Sequence, residues 1–258
     1  MSSLVFYAFC FVSGLFIGSF LNVVADRLVS GESIWFGHSH CDFCRKILGV
    51  IDLVPVLSFL SCFGRCRYCK KKLSIAYPLS EILTGGMFLL CAISARVFVG
   101  DFYIGGRSLL MFAYFAIVSC FYIIIFLADA KYQIIPTKVV VPAIIFVGAF
   151  YPVLGFESAD LISAFSLAAF FWGLFIVTKG KGMGFGDVRL ALLIGLFNRF
   201  PNSILAILMA FVLGSVFSVI LMIFGKKGMK DRIAFGPFML LGSVLAFVFG
   251  DVFFAWYL

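Results

Sequence analysis

Long apolar runs recur along the whole sequence, and they leave few folds open. From Leu109 to Ala128 no Lys, Arg, Asp or Glu interrupts the chain. A stretch of about 20 apolar residues is long enough for a helix to cross a bilayer. Comparable runs predict helices over Leu4–Ala25, Pro78–Phe98, Arg107–Ala128, Val139–Leu154, Leu161–Thr178, Phe185–Phe200, Ile204–Phe224 and Ala234–Tyr257. The expected fold is therefore all-α, a polytopic membrane protein of about eight transmembrane helices. The runs are continuous and do not alternate with period two, which argues against a β-barrel. Only 12% of the 258 residues are charged, about half the share usual in soluble domains.

The formal charge of +8 raises the possibility of a nucleic-acid partner, but its distribution has another explanation. With the N-terminus outside, seventeen Lys and Arg fall on the cytoplasmic side, and only Arg96, Arg107 and Arg199 fall opposite. That is a positive-inside bias. The basic residues describe topology, and no nucleic acid is expected. The short sixth helix is needed to keep the Lys226–Arg232 cluster inside. No Lys or Arg precedes Arg27, so the first span lacks the basic start of a cleavable signal and reads as a retained helix.

One soluble insertion, residues 26–77, separates the first helix (1–25) from the remaining membrane domain (78–258). It holds both histidines, His38 and His40, and five of the eight cysteines. Cys41-x-x-Cys44 and Cys66-x-x-Cys69 have the spacing of a four-thiolate zinc site, a small cytoplasmic zinc-ribbon-like loop. So short a segment buries little core, and a structural Zn2+ would supply folding free energy. A redox dithiol and unliganded thiols are the competing readings. Cytoplasmic placement disfavours disulfides. Cys62 is a candidate spare ligand, and either histidine is a candidate substitute. Cys10, Cys91 and Cys120 lie in apolar spans as small core residues.

Two acids stand against the apolar background. Asp129 ends the third span and Asp187 begins the sixth, so the topology brings both to one membrane face. An ionisable group against hydrocarbon costs roughly 2.5–3.5 kcal/mol on insertion scales, which marks it as a functional candidate. Two close carboxylates share a proton, one acting as base and one as acid. Gly184 and Gly186 permit a tight active-site turn before Asp187. The alternatives are a wet helix end for Asp129, and for Asp187 a helix cap or an ion pair with Arg189. Glu81 suits the start of the second helix. Asp101, Glu157, Asp160 and Asp251 read as solvated ends on the opposite face.

Several ordered motifs point the same way. They are Gly18-Ser19-Phe20-Leu21-Asn22 with Arg27-Leu28, the cysteine loop, Tyr77-Pro78-Leu79-Ser80-Glu81, Asp129-Ala130-Lys131 through Ile135-Pro136, Gly184-Phe185-Gly186-Asp187, and Phe235-Gly236-Pro237-Phe238. Through them the chain resembles the bacterial type IV prepilin peptidases, GxGD-type aspartic proteases of the inner membrane. The resemblance implies that Asp129 and Asp187 are the catalytic pair. It also implies cleavage of short basic leaders from prepilins and pseudopilins at the cytoplasmic face, with membrane lipid as surroundings. Members with the cysteine loop also N-methylate the new terminal residue, with S-adenosylmethionine as donor, which associates residues 26–77 with methyl transfer. No glycine-rich motif binding that donor is visible. The chain departs from the family at Thr137, where an aspartate is usual, at Val29 in place of proline, and at Arg45 and Lys70, where glycine commonly follows each knuckle. A non-catalytic assembly factor and a proton-coupled transporter are the alternatives from other classes.

Overall fold

The computed structural model describes residues 3–33, 37, 39–41, 43–99, 106–155, 157–180, 182–224 and 233–257. His38, Asp101, Lys181 and the basic residues between Lys226 and Arg232 lie outside the described residues. Ten α-helices occur among those described: α1 (Ser3–Ser30), α2 (Leu57–Ser61), α3 (Ala76–Val99), α4 (Gly106–Tyr132), α5 (Thr137–Ala149), α6 (Tyr151–Leu154), α7 (Ser158–Val177), α8 (Phe185–Asn198), α9 (Asn202–Ile223) and α10 (Gly236–Tyr257). A 3-10 turn, Val50–Leu53, precedes α2. The only β pairing among the described residues is two isolated bridges in the loop. The all-α expectation holds.

Six helices, α1, α3, α4, α7, α9 and α10, are long and apolar enough to cross a membrane. The expected spans Val139–Leu154 and Phe185–Phe200 take a different form. Pro142 is tolerated inside α5, but that helix stops at Ala149. Pro152 has no N–H to return to the preceding turn, and the chain restarts as the short α6. At 13 and 14 residues, α5 and α8 are roughly 20 Å long, short of the ~30 Å hydrocarbon core. The expected eight spans are thus six long helices and two short ones.

The chain divides into two compact units, Met1–Leu127 and Ala128–Leu258, with the boundary inside α4. In the first, α1 and α3 run antiparallel. Arg96 Nη1 donates to Tyr7 Oη at one end (3.3 Å), and Asn22 Nδ2 to Ser80 Oγ at the other (2.8 Å). Gly14 and Gly18 lie four residues apart at the crossing. A Cβ on Gly14 would fall 2.8 Å from Gly85 Cα, and one on Gly18 2.8 Å from Thr84 Oγ1. Small residues at this spacing let two membrane helices approach closely. Phe112 of α4 packs edge-on against Phe6 and Phe88.

In the second unit α8 is central, touching α5, α7, α9 and α10. Nine of its residues are buried, from Asp187 to Asn198. A helix apolar on every side belongs inside a bundle. Neighbouring helices bury most of its length, while Phe185 in its first turn is 44% exposed. That burial carries Asp187 into the protein.

Candidate active site and metal centre

Asp129 sits in the last turn of α4. Gln133, with φ of 56°, closes that turn by returning its N–H to the Asp129 carbonyl at 2.9 Å. Ile134, Ile135 and Pro136 then lead directly into α5. Asp187 lies in the first turn of α8, where its Oδ2 accepts the Gly184 N–H at 3.0 Å. Asp187 is thus a helix-capping group, as the alternative reading allowed, and this leaves most of its acceptor capacity free.

Asp129 is 5% exposed and Asp187 8%, so neither is a wet helix end. Asp129 Oδ2 accepts the backbone N–H of Gly236 at 3.0 Å. Ile135 fills the space between the two motifs. A Cβ on Gly186 would fall 2.8 Å from Ile135 Cβ; one on Gly236 would fall 3.5 Å from Ile135 Cδ1 and 2.5 Å from Asp129 Oδ2. Asp129, Ile135, Gly186 and Gly236 are therefore contiguous, and the two carboxylates act on one another electrostatically. Phe235 stacks among Phe171 (6.3 Å) and Phe211 (5.2 Å), which fixes the start of α10 beside Asp129.

Arg189 does not serve Asp187. Its Nη1 donates to Thr137 Oγ1, and its guanidinium lies 4.8 Å from the Phe185 ring centre. The hydroxyl of Thr137 thus receives the arginine, joining the start of α5 to the start of α8 without an ion pair.

In the loop, Cys41, Cys44, Cys66 and Cys69 place their sulfurs within 4.8 Å of one another, and Cys41 Sγ is 3.9 Å from Cys69 Sγ. Tetrahedral zinc at ~2.3 Å from each sulfur needs S···S separations of about 3.8 Å. The donor set fits Zn2+. The two knuckles share one backbone pattern. The N–H of Arg45 returns to Cys41 O (2.8 Å) and that of Lys70 to Cys66 O (2.9 Å). The N–H of Cys41 reaches Lys46 O (3.0 Å) and that of Cys66 reaches Lys71 O (2.9 Å). Arg45 and Lys70 hold φ of 54° and 58°, the left-handed region that glycine ordinarily fills. The departures at these positions preserve the fold of the knuckles at some cost in strain.

The knuckles also clasp each other. Lys46 lies 4.5 Å over the Tyr68 ring, and Lys71 lies 4.9 Å over Phe43. Asp52 braces the second knuckle, accepting Tyr68 Oη at 3.0 Å and pairing with Arg67 Nε at 3.0 Å. Holding that hydrogen bond pushes the Tyr68 phenol above its ordinary pKa. Hydrogen bonds from the Cys69 backbone, and secondarily from Tyr68, pull the Cys66 thiol down to about 7 against its burial, while Cys69, despite the Lys71 backbone hydrogen bond, is pushed up to about 11 by burial and the neighbouring thiols. Cys62 stands outside the four-sulfur group, as does His40, whose backbone bridges to Ile47.

Sequence reasoning missed other polar contacts. Glu81, expected merely to suit a helix dipole, is buried and accepts the Val56 N–H at 2.8 Å. Asp160, expected to be a solvated end, is 3% exposed. It pairs with Arg199 Nε at 3.0 Å and accepts the N–H groups of Glu157 and Phe200, both at 3.0 Å. An acid three residues after Glu157, just ahead of an apolar run, is the sequence signal that was available for this cap. Asp251 is exposed and accepts Asn202 Nδ2 at 3.2 Å.

Comparison with known proteins agrees with this geometry. Residues 12–95 match the family described as Bacterial Peptidase A24 N-terminal domain, and residues 116–219 match the Type IV leader peptidase family. The chain belongs to the type IV leader peptidase family. The second match contains both Asp129 and Asp187, and the first contains all four clustered cysteines. The chain is 28% identical to a prepilin leader peptidase/N-methyltransferase of Bacillus subtilis, over 96% of each chain. It is 26% identical to the protein of that name from Pseudomonas putida, over 95% of this chain and 91% of the relative. The corresponding Pseudomonas aeruginosa protein is 28% identical, over 92% and 88%. No solved structure matches the chain significantly.

Proposed function

We propose that this multi-pass membrane protein is a prepilin peptidase that removes short basic leaders from prepilins or pseudopilins through Asp129 and Asp187. The observation that supports the reading is the convergence on Ile135 of Gly186, next to Asp187, and Gly236, next to Asp129, with each buried carboxylate tied by one backbone N–H. In such a dyad one carboxylate takes a proton from water as the water attacks the peptide carbonyl. The other donates its proton to the carbonyl oxygen; as the resulting diol collapses, the first passes the water-derived proton to the leaving amine and the second recovers its own. The titration belongs to the pair, so the acid and base roles are not divided between the residues. Gly186 admits Ile135 against the start of α8, whereas Gly184 leaves the turn before it open, which gives an extended substrate backbone room to approach.

The orientation that fits a basic leader has the N-terminus periplasmic and both aspartates at the cytoplasmic face of the inner membrane. There the leader stays at the surface while its apolar stem enters the bilayer. Residues 78–258 then form the peptidase, and the loop 26–77 serves the methyl transfer for which the relatives are also named. Zn2+ held by Cys41, Cys44, Cys66 and Cys69 would supply structure, joining the two knuckles. S-adenosylmethionine supplies the methyl group to the new α-amine.

Incubating the purified protein with a synthetic prepilin, with and without S-adenosylmethionine, and reading intact mass tests both activities. Loss of the leader mass is expected in each case, and a further methyl mass only with the donor. Asp129→Asn and Asp187→Asn should each reduce cleavage by roughly 10³-fold or more. Retained cleavage in either single variant rejects the dyad.

A further inference from the structure

The loop between α1 and α3 presents apolar side chains that its small core does not use. Val50 and Phe63 are 85% and 90% exposed, and Ile51, Leu53, Leu57 and Leu60 are exposed as well. Leu57 and Leu60 share one face of α2. The 3-10 turn carrying Val50 and Ile51 adjoins that helix, and Phe63 lies two residues beyond its end. Six exposed large apolar side chains within fourteen residues make this segment an apolar patch of a kind that soluble surfaces rarely carry without a partner.

The depth of the patch is set by one hydrogen bond. Val56, between the 3-10 turn and α2, gives its N–H to Glu81 Oε2 at 2.8 Å. Glu81 is five residues inside α3, roughly 7.5 Å along a helix that crosses the bilayer. The patch is therefore held level with the first turns of a span, the depth at which interfacial helices bury an apolar face. Charge selects the occupant. Residues 39–75 carry seven Lys and Arg against two Asp, a balance that favours an anionic surface and repels a basic peptide.

We propose that the loop docks its Val50–Phe63 face into the membrane interface, with its basic residues against anionic lipid headgroups. The zinc knuckles then sit on the lipid surface, and the loop's orientation is fixed by lipid contact as well as by its two flanking spans. The proposal rests on reading α1 and α3 as membrane spans.

Photo-crosslinking in the full-length protein tests it, with p-benzoylphenylalanine replacing Phe63 in one sample and the lipid-facing Phe16 of α1 in another. Both are reconstituted in vesicles of phosphatidylglycerol and phosphatidylethanolamine, and in phosphatidylcholine alone. Retained zinc content verifies that the loop is folded. The expected result at position 63 is a phospholipid mass adduct, several-fold weaker in phosphatidylcholine, alongside an adduct at position 16 in both lipids. An adduct at 16 but none at 63 overturns the docking, as does crosslinking of 63 to protein alone. Failure at 16 overturns the membrane reading itself. In anionic vesicles, Leu57→Ser/Leu60→Ser should speed amide exchange across residues 50–63 several-fold while keeping its zinc. Unchanged exchange in that variant also overturns the proposal.

Discussion

The backbone N–H of Gly236 donates to Asp129 Oδ2 across 3.0 Å, although 107 residues separate them in the chain. The start of α10 thereby sets where one carboxylate of the proposed dyad can point. Only glycine fits, since a Cβ at position 236 would fall 2.5 Å from that oxygen. Gly236→Ala should turn Asp129 away from its position and lower kcat for leader cleavage by about 10²-fold, the effect of a misplacement near 1 Å. Steady-state kinetics with detergent-solubilised protein would measure it, with KM expected to change little. Unaltered kcat would remove Gly236 from the positioning of the dyad.

Zinc content separates the four clustered thiols from the fifth. Cys41→Ser and Cys66→Ser should each lose the metal, whereas Cys62→Ser should keep one zinc per chain. Metal analysis of freshly purified protein checks all three. Wild-type protein without zinc, or a metal-free Cys62→Ser, would contradict the assignment.

Strain in the knuckles is open to relief. Arg45 and Lys70 occupy left-handed backbone, which costs a side-chain-bearing residue roughly 1–2 kcal/mol. Arg45→Gly and Lys70→Gly should therefore slow zinc loss to a chelator, by about tenfold for each 1.4 kcal/mol relieved in the bound state. The loss of the cationic side chains is a minor opposing effect, because the aromatic clasps are made by Lys46 and Lys71. Faster release in both variants would show that the strain reading is wrong.

Asp160 anchors three groups at once, the N–H of Glu157, the N–H of Phe200 and the Arg199 guanidinium. Asp160→Ala removes the acceptor of two backbone donors and the carboxylate beside Arg199, which keeps its bond to the Gly155 carbonyl. It should cost about 3 kcal/mol, at the low end for a buried pair because Arg199 is partly solvated. A lowered thermal midpoint in detergent, with cleavage per folded molecule unchanged, is the expected outcome. An unchanged midpoint would assign Asp160 no structural role.

Much of the fold was legible because a bilayer allows so few solutions. Once hydrocarbon length and positive charge are counted, Asp129 and Asp187 arrive at the same level from independent segments. The cysteine spacing was equally readable, since two knuckles must converge to satisfy one tetrahedral ion. What stayed hidden depends on close approach between distant segments. Gly236 gave no polar signal because the donor is its backbone. Glu81 looked like a partner for its own helix, and nothing local to Val56 announced the contact. The short α5 and α8 were overestimated for different reasons: the chain breaks after Ala149 ahead of Pro152, and composition alone cannot distinguish a helix that crosses a bilayer from one largely enclosed by its neighbours, as α8 is.

The knuckles repeat one another with an offset of 25 residues: Phe43 answers to Tyr68, and Lys46 to Lys71, each lysine capping the other half's ring. Neither half can complete its own aromatic contact, so folding one without the other gains little. This interdependence makes the folding of the two knuckles cooperative rather than graded. A ribbon built this way should open as a whole when its ion is withdrawn, and Val56, tethered to Glu81, would carry that opening straight into the third helix.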